Sequence, residues 1–254
     1  MISKTNLVCA VAVFGATLLW SALVQGETLT KSFQADSIKR LHIATAVGKV
    51  MVTGQDSKVA KIAANKKDFD PENCQLKIAV ENGTLVVAVQ HEGRGKKWFE
   101  SKSSCEVDFA IEVPRHLEQR VKNGAGDVVI AGTKGAVEIE TGAGAVDFTD
   151  VEVTELRARS GVGDIKLAGS VTNAQVRLGV GNFEATLNEK PEAGSMNINT
   201  GTGSAVIRLP EDSAVSAEFA AGMGSMESEI EMQADAPFTI SMRSGQGNLQ
   251  VRKL

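Results

Sequence analysis

A Gly-x-Gly signature occurs seven times in the second half of this 254-residue chain, at Gly124/Gly126, Gly142/Gly144, Gly161/Gly163, Gly179/Gly181, Gly201/Gly203, Gly222/Gly224 and Gly245/Gly247. The steps between copies are 18, 19, 18, 22, 21 and 23 residues. A unit of about 20 residues cannot bury its own apolar face, so a period of this size means stacked turns that complete one another's core. Few other folds accommodate such a repeat.

Each copy is flanked by alternating residues. After the second glycine the inward candidates are Val128/Ile130, Val146/Phe148, Ile165/Leu167, Phe183/Ala185, Ala205/Ile207, Met226/Ser228 and Leu249/Val251. Before the first glycine they are Val137/Ile139/Thr141, Leu156/Ala158/Ser160, Ala174/Val176/Leu178, Met196/Ile198/Thr200, Ala217/Phe219/Ala221 and Ile240/Met242/Ser244. Period 2 with mostly polar residues between is a strand with one buried face. The expected fold is all-β: a parallel β-solenoid, of the single-stranded β-helix or β-roll kind, with about seven to eight turns. An N-terminal strand and hairpin segment is packed on it or continuous with it. The corner glycines Gly126, Gly144, Gly163, Gly181, Gly203, Gly224 and Gly247 are expected to supply positive φ or a close backbone approach. Twenty-five glycines against five prolines, with no tyrosine, fit closely stacked small side chains.

The same glycines have two chemical rivals. A dinucleotide-binding loop needs a third glycine and a following helix, and here a strand follows each copy. Calcium-binding β-rolls carry an aspartate in each short repeat, whereas the position after the second glycine reads Asp127, Ala145, Asp164, Asn182, Ser204, Ser225 and Asn248. Ala145 breaks the row and the period is too long. No metal and no cofactor is expected.

The chain divides near residue 114 into an N-terminal β segment capping the solenoid (27–114) and the repeats (115–254), preceded by an expected signal peptide (1–26). The signal is read from Lys4, the apolar run Leu7 to Leu23 and the small residues Val24 and Gly26, with cleavage after Gly26. Within 27–114, Gln75 to Val80 and Thr84 to Gln90 flank Glu81-Asn82-Gly83 as a hairpin, and Ile38 to Ala46 and Lys49 to Thr53 flank Gly48. Cys105, Val107, Phe109, Ile111 and Val113 share one face of a further strand. Export implies an oxidising compartment, where Cys74 and Cys105, the two cysteines outside the signal, are expected to form a disulfide, with two buried thiols as the alternative.

Removing Lys4 with the signal leaves 26 basic against 31 acidic residues, a net charge of −5, which argues against nucleic acid. His42, His91 and His116 are the only histidines and form no ligand or triad spacing, and no nucleophile elbow occurs. An enzyme is not expected.

Two surfaces are candidates for contact. One is the segment His91 to Ser104, where Lys96 and Lys97 precede Trp98 and Phe99; the alternative is that both aromatics cover the end of the core. The other is the row Arg157, Arg159, Arg177 and Arg243 on successive outward strand positions, with Arg159 and Arg177 as neighbours and Glu138 and Glu140 within pairing reach in the preceding layer. The last turn is expected to leave a sheet edge at Leu254, open to strand addition or guarded by Arg252 and Lys253.

The chain resembles the bacterial putative adhesin family, exported β-solenoid domains with recurrent glycine corners. The resemblance rests on Gly48-Lys49-Val50-Met51-Val52-Thr53-Gly54, on Phe109-Ala110-Ile111-Glu112-Val113-Pro114, and on repeats such as Gly161-Val162-Gly163-Asp164-Ile165-Lys166-Leu167-Ala168-Gly169. It runs from about residue 36 to the C-terminus and implies a fold, with no catalytic or binding residues to carry over. The expected role is a non-enzymatic, exported cell-envelope interaction or scaffold module, periplasmic or surface-associated. Its partner is an envelope protein or glycan, and membrane association is permitted but not required. A periplasmic ligand-binding or regulatory module is the alternative, and a polysaccharide-active enzyme the outside one.

Overall fold

The computed structural model describes residues 27–91 and 104–254. The N-terminal strands are β1 (Glu27–Gln34), β2 (Arg40–Val47), β3 (Val50–Gln55), β4 (Val59–Asp68), β5 (Cys74–Glu81), β6 (Thr84–His91) and β7 (Glu106–Pro114). The glycine repeats begin with β8 (Glu118–Ala125), β9 (Val128–Ala131), β10 (Lys134–Ala143), β11 (Val146–Val162), β12 (Ile165–Val180) and β13 (Phe183–Leu187). They end with β14 (Gly194–Thr202), β15 (Ala205–Leu209), β16 (Val215–Met223), β17 (Met226–Ser228), β18 (Phe238–Gln246) and β19 (Leu249–Lys253). The described residues are thus all-β, and the nineteen strands form one hydrogen-bonded network.

That network has two faces, because each glycine corner passes the chain from one to the other. Sheet I runs β5-β6-β2-β8-β10-β11-β12-β14-β18-β16. Sheet II runs β1-β4-β7-β3-β9-β11-β12-β13-β15-β19-β17. The long strands β11 and β12 cross between them, with their first residues in sheet II and their last in sheet I. Pairing is parallel except for β5–β6, β1–β4 and β4–β7. Phe148, Phe183, Ile139, Ile165 and Leu156 are among the side chains fully buried between the faces, so the alternation read from the sequence holds through most of the repeats.

The corners work by close stacking. Gly181 has φ +146°, and a Cβ there would lie 2.1 Å from the carbonyl oxygen of Gly163. Gly163 relates in the same way to Gly144, and Gly144 to Gly126. Gly48 belongs to the same column: it has φ +132°, Gly126 packs on its carbonyl, and it packs on Val107. The hydrogen bonding therefore runs without a break across residue 114. The hairpin at Asn82-Gly83 forms as the sequence indicates, with both turn residues at positive φ and Glu81 opposite Thr84.

The turns are not stacked in chain order. At the C-terminal end β18 lies between β14 and β16, and β19 between β15 and β17. The last turn in sequence is therefore an inner one, and the turn made by β16 and β17 is outermost. This corrects the expectation of an open edge at Leu254. Arg252 is engaged with Glu227 and Glu229, and Lys253 with Glu211, so both bind acidic residues of adjacent segments rather than guard an edge. It also explains why Met226 and Ser228 miss full burial while Leu249 and Val251 achieve it. The opposite end shows the same exchange: β2 lies between β6 and β8, and β3 between β7 and β9.

If corner contact sets the stacking, Gly181→Ala should lower unfolding free energy by about 3 kcal/mol, through an essentially glycine-only φ and a collision with backbone. Val180→Ala, one residue away on the exposed side, should change it by less than about 0.5 kcal/mol. Urea unfolding followed by circular dichroism measures both.

Candidate interaction surface

Parallel pairing places the outward residues of sheet I in rows across the strands, about 4.8 Å apart. One row reads His42, Arg120, Glu138, Arg157, Gln175, Asn197, Ser241 and Glu218. The next reads Ala44, Lys122, Glu140, Arg159, Arg177, Asn199, Arg243 and Ala220. Beside it lies a lane without side chains, formed by Gly124, Gly142, Gly161, Gly179, Gly201 and Gly245. A Cβ at Gly201 would meet the Gly179 carbonyl oxygen at 2.6 Å, so stacking itself keeps the lane bare.

Charge is unevenly satisfied along these rows. Arg120 pairs with Glu138 at 3.5 Å, Lys122 with Glu140 at 3.0 Å, and Arg157 with Glu155 of its own strand at 2.6 Å. Hydrogen bonding to the Lys122 ammonium holds the Glu140 carboxyl below the usual range, and Arg159 adds a smaller effect. Arg159 lies opposite Arg177 in register, confirming them as neighbours. Among the described residues, neither Arg177 nor Arg243 has a carboxylate within ion-pair distance. A depression of about 370 Å³ lies between these two, with Asn199 on the intervening strand and Gly201 and Gly245 beside it.

A second depression of about 410 Å³ lies over β2, β8, β10 and β11, lined by Arg40, His42, Glu118, Arg120, Glu138 and Arg157 among others. Sequence reasoning missed Arg120 and Lys122, because the inward positions flanking them, Gln119 and Asn123, are polar and only Val121 between them is apolar. Gln119 donates to Thr133 Oγ1 at 2.9 Å, and Asn123 donates to the carbonyls of Gly48 and Gly126 at 3.1 and 2.9 Å. The apolar alternation is interrupted here, with Val121 as the one apolar inward residue between Gln119 and Asn123. A signal did exist: Arg120 and Lys122 stand four and two residues before Gly124, the same offsets as Gln175 and Arg177 before Gly179.

The oxygen-bearing residues after each second glycine form a ladder to backbone. Asp127 accepts from Ala145 N at 3.1 Å, Asp164 from Asn182 N at 2.7 Å, Asn182 from Ser204 N at 3.0 Å and Asn248 from Ser225 N at 2.9 Å. These oxygens tie one turn to the next. Among the described residues, no group of three or more His, Cys, Asp or Glu side chains could hold a metal ion.

Cys74 and Cys105 form a disulfide, with Cα atoms 5.6 Å apart. It joins the start of β5 in sheet I to the approach to β7 in sheet II, and both cysteines are buried. Lys96, Lys97, Trp98 and Phe99 lie outside the described residues, as do residues 1–26 with their expected signal.

A family model for the Toastrack DUF4097 domain matches residues 99–252. The chain belongs to this family. No curated protein matches it. Among solved structures, it is similar to a putative cell adhesion protein from Clostridium sporogenes, with 14% identity and a TM-score of 0.40, covering 91% of this chain and 100% of that one. A putative adhesin from Bacteroides fragilis shares 17% identity with a TM-score of 0.43, covering 90% and 97%. A putative lipid binding protein from Parabacteroides distasonis shares 12% identity with a TM-score of 0.45, covering 89% and 97%. The Toastrack assignment agrees with the family resemblance read from the repeats.

His42 provides a pH test of this face. Burial lowers its imidazole pKa, with Arg120 and Lys122 adding to the effect, and Nε2 is buried without a hydrogen-bond partner among the described residues. The unfolded chain takes up this proton near pH 6.5 and the folded protein only at lower pH. His42 therefore subtracts stability as pH falls through about 6.5. His42→Gln should flatten that part of the stability–pH curve, measured by thermal unfolding; an unchanged slope would contradict this reading.

Proposed function

We propose that this Toastrack protein is a non-enzymatic, exported envelope protein, a β-solenoid of about seven to eight turns that acts as an adhesin-like interaction or scaffold module. Its contact surface is the outer face of sheet I. The observation that carries this reading is the registered row Arg159, Arg177, Asn199 and Arg243, in which none of the three arginines has a carboxylate within ion-pair distance among the described residues. Two like charges opposite one another on paired strands cost stability. A row that keeps them beside a bare lane suits an extended partner, an envelope protein or glycan. The expected location is the periplasm or the cell surface, following export with the signal at residues 1–26.

A ligand-binding role is favoured by the depression beside His42, where Arg40, Arg120 and Arg157 converge with Glu118 and Glu138. Its arginines are more fully engaged with carboxylates, which leaves the Arg177 region as the better contact surface.

The test is retention of the purified protein on isolated envelope fractions. Arg159→Glu plus Arg177→Glu should abolish retention with the fold intact by circular dichroism, while Trp98→Ala plus Phe99→Ala should leave it. Retention that survives the first pair and is lost with the second would move the contact surface to the 91–104 segment.

A further inference from the structure

We infer that the depression between Arg177 and Arg243 is a binding site for a linear, carboxylate-bearing polysaccharide laid across the strands of sheet I. This rests on the reading of that face as a contact surface and names the chemistry of its partner. Three observations carry it. The first is charge: Arg177 and Arg243 stand two strand spacings apart with Asn199 between them, and both side chains are exposed. A guanidinium without a carboxylate partner presents its fork of donors to an incoming carboxylate, the geometry it matches best.

The second is the neighbouring row. Next to the arginines run Gln175, Asn197 and Ser241 in register. These uncharged groups both donate and accept hydrogen bonds, which is what sugar hydroxyls require and what a simple polyanion would not use. The third is shape. The glycine lane on the other side of the arginine row lets a chain lie flat against backbone, and its direction is the stacking axis, so successive ligand units would meet equivalent positions turn after turn.

The same observations disfavour other anionic partners. Beyond Arg159 the row is neutralised by the Lys122–Glu140 pair, and the adjacent row by Arg120–Glu138. The positive field is therefore narrow, about one polymer wide. A planar anionic membrane or a nucleic acid would draw on a broader basic surface.

The experiment is affinity electrophoresis through gels containing polygalacturonate, with neutral dextran and phosphatidylglycerol vesicles as separate arms. Wild type should be retarded by polygalacturonate at low ionic strength, released at high ionic strength, and unaffected by dextran. Arg177→Gln plus Arg243→Gln should weaken the interaction by about tenfold or more, Asn199→Ala should weaken it less, and Lys166→Gln on sheet II should leave it unchanged. Equal retardation of wild type and the double arginine variant would overturn the inference, as would stronger binding to the vesicles than to polygalacturonate. If polygalacturonate does not bind but Asn199→Trp still removes the protein from envelope fractions, the contact surface stands and the polysaccharide inference fails. If Asn199→Trp also leaves envelope retention intact, both fail.

Discussion

The backbone approach at the glycine corners is the constraint on which everything else in this molecule depends. At the second glycine of each repeat, a Cβ would stand only 1.8 to 2.3 Å from a carbonyl oxygen of the adjacent turn. Such a corner cannot slide or widen without breaking the hydrogen bonds on both sides of it, such as Gly181 N to Thr202 O and Phe183 N to Ser204 O. Register around the corners is therefore the same at every turn, with shifts such as those at Gly135/Ala136 and Phe148/Val151 lying away from them, and the Asp, Asn and Ser ladder reinforces it from the side chains. Fixed register makes columns, so a residue type repeated at one offset from the glycines becomes a row on the surface. The arginine row and the bare lane are both consequences of corner stacking.

Much of this was legible in the sequence, and the physical reasons mark where legibility stopped. Strands with apolar inward residues, such as Ile165/Leu167 and Val176/Leu178, announce themselves because period 2 and burial coincide. Strand β8 does not, since Gln119 and Asn123 face inward, their amide nitrogens donating to Thr133 and to the Gly48 and Gly126 carbonyls, and so hide Arg120 and Lys122 beside them. The corner at Gly48 was likewise obscured. Ala46 stands where the other turns carry their first glycine, and the Gly124 position packs on its carbonyl.

The order of the turns was the deeper omission. Periodicity shows that turns stack but carries no information about which turn rests on which, because the corner contacts are alike. One clue was present: the turn from 217 to 228 has Ala217, Ala221 and Ser228 at inward positions, the poorest core contribution of the series. The turn with least to bury is the one placed outermost. The exchange also shapes the candidate site. In chain order a strand carrying Ala220 would separate Asn199 from Arg243, whereas the observed order brings Arg243 next to Asn199 and moves Ala220 beyond it. The Arg177–Asn199–Arg243 arrangement exists only because the last turn is inserted inside its predecessor.

That insertion is the central claim, and cysteine pairing tests it directly. Neighbouring Cα atoms across a sheet lie within the range a disulfide spans, and positions two strands apart do not. In the observed order, Asn199→Cys with Arg243→Cys should oxidise to a cross-link in the folded protein, and Asn199→Cys with Ala220→Cys should remain reduced, as read by non-reducing peptide mapping. Cross-linking of 199 to 220, with none between 199 and 243, would show the turns stacked in chain order and would dismantle both the C-terminal fold and the site built on it.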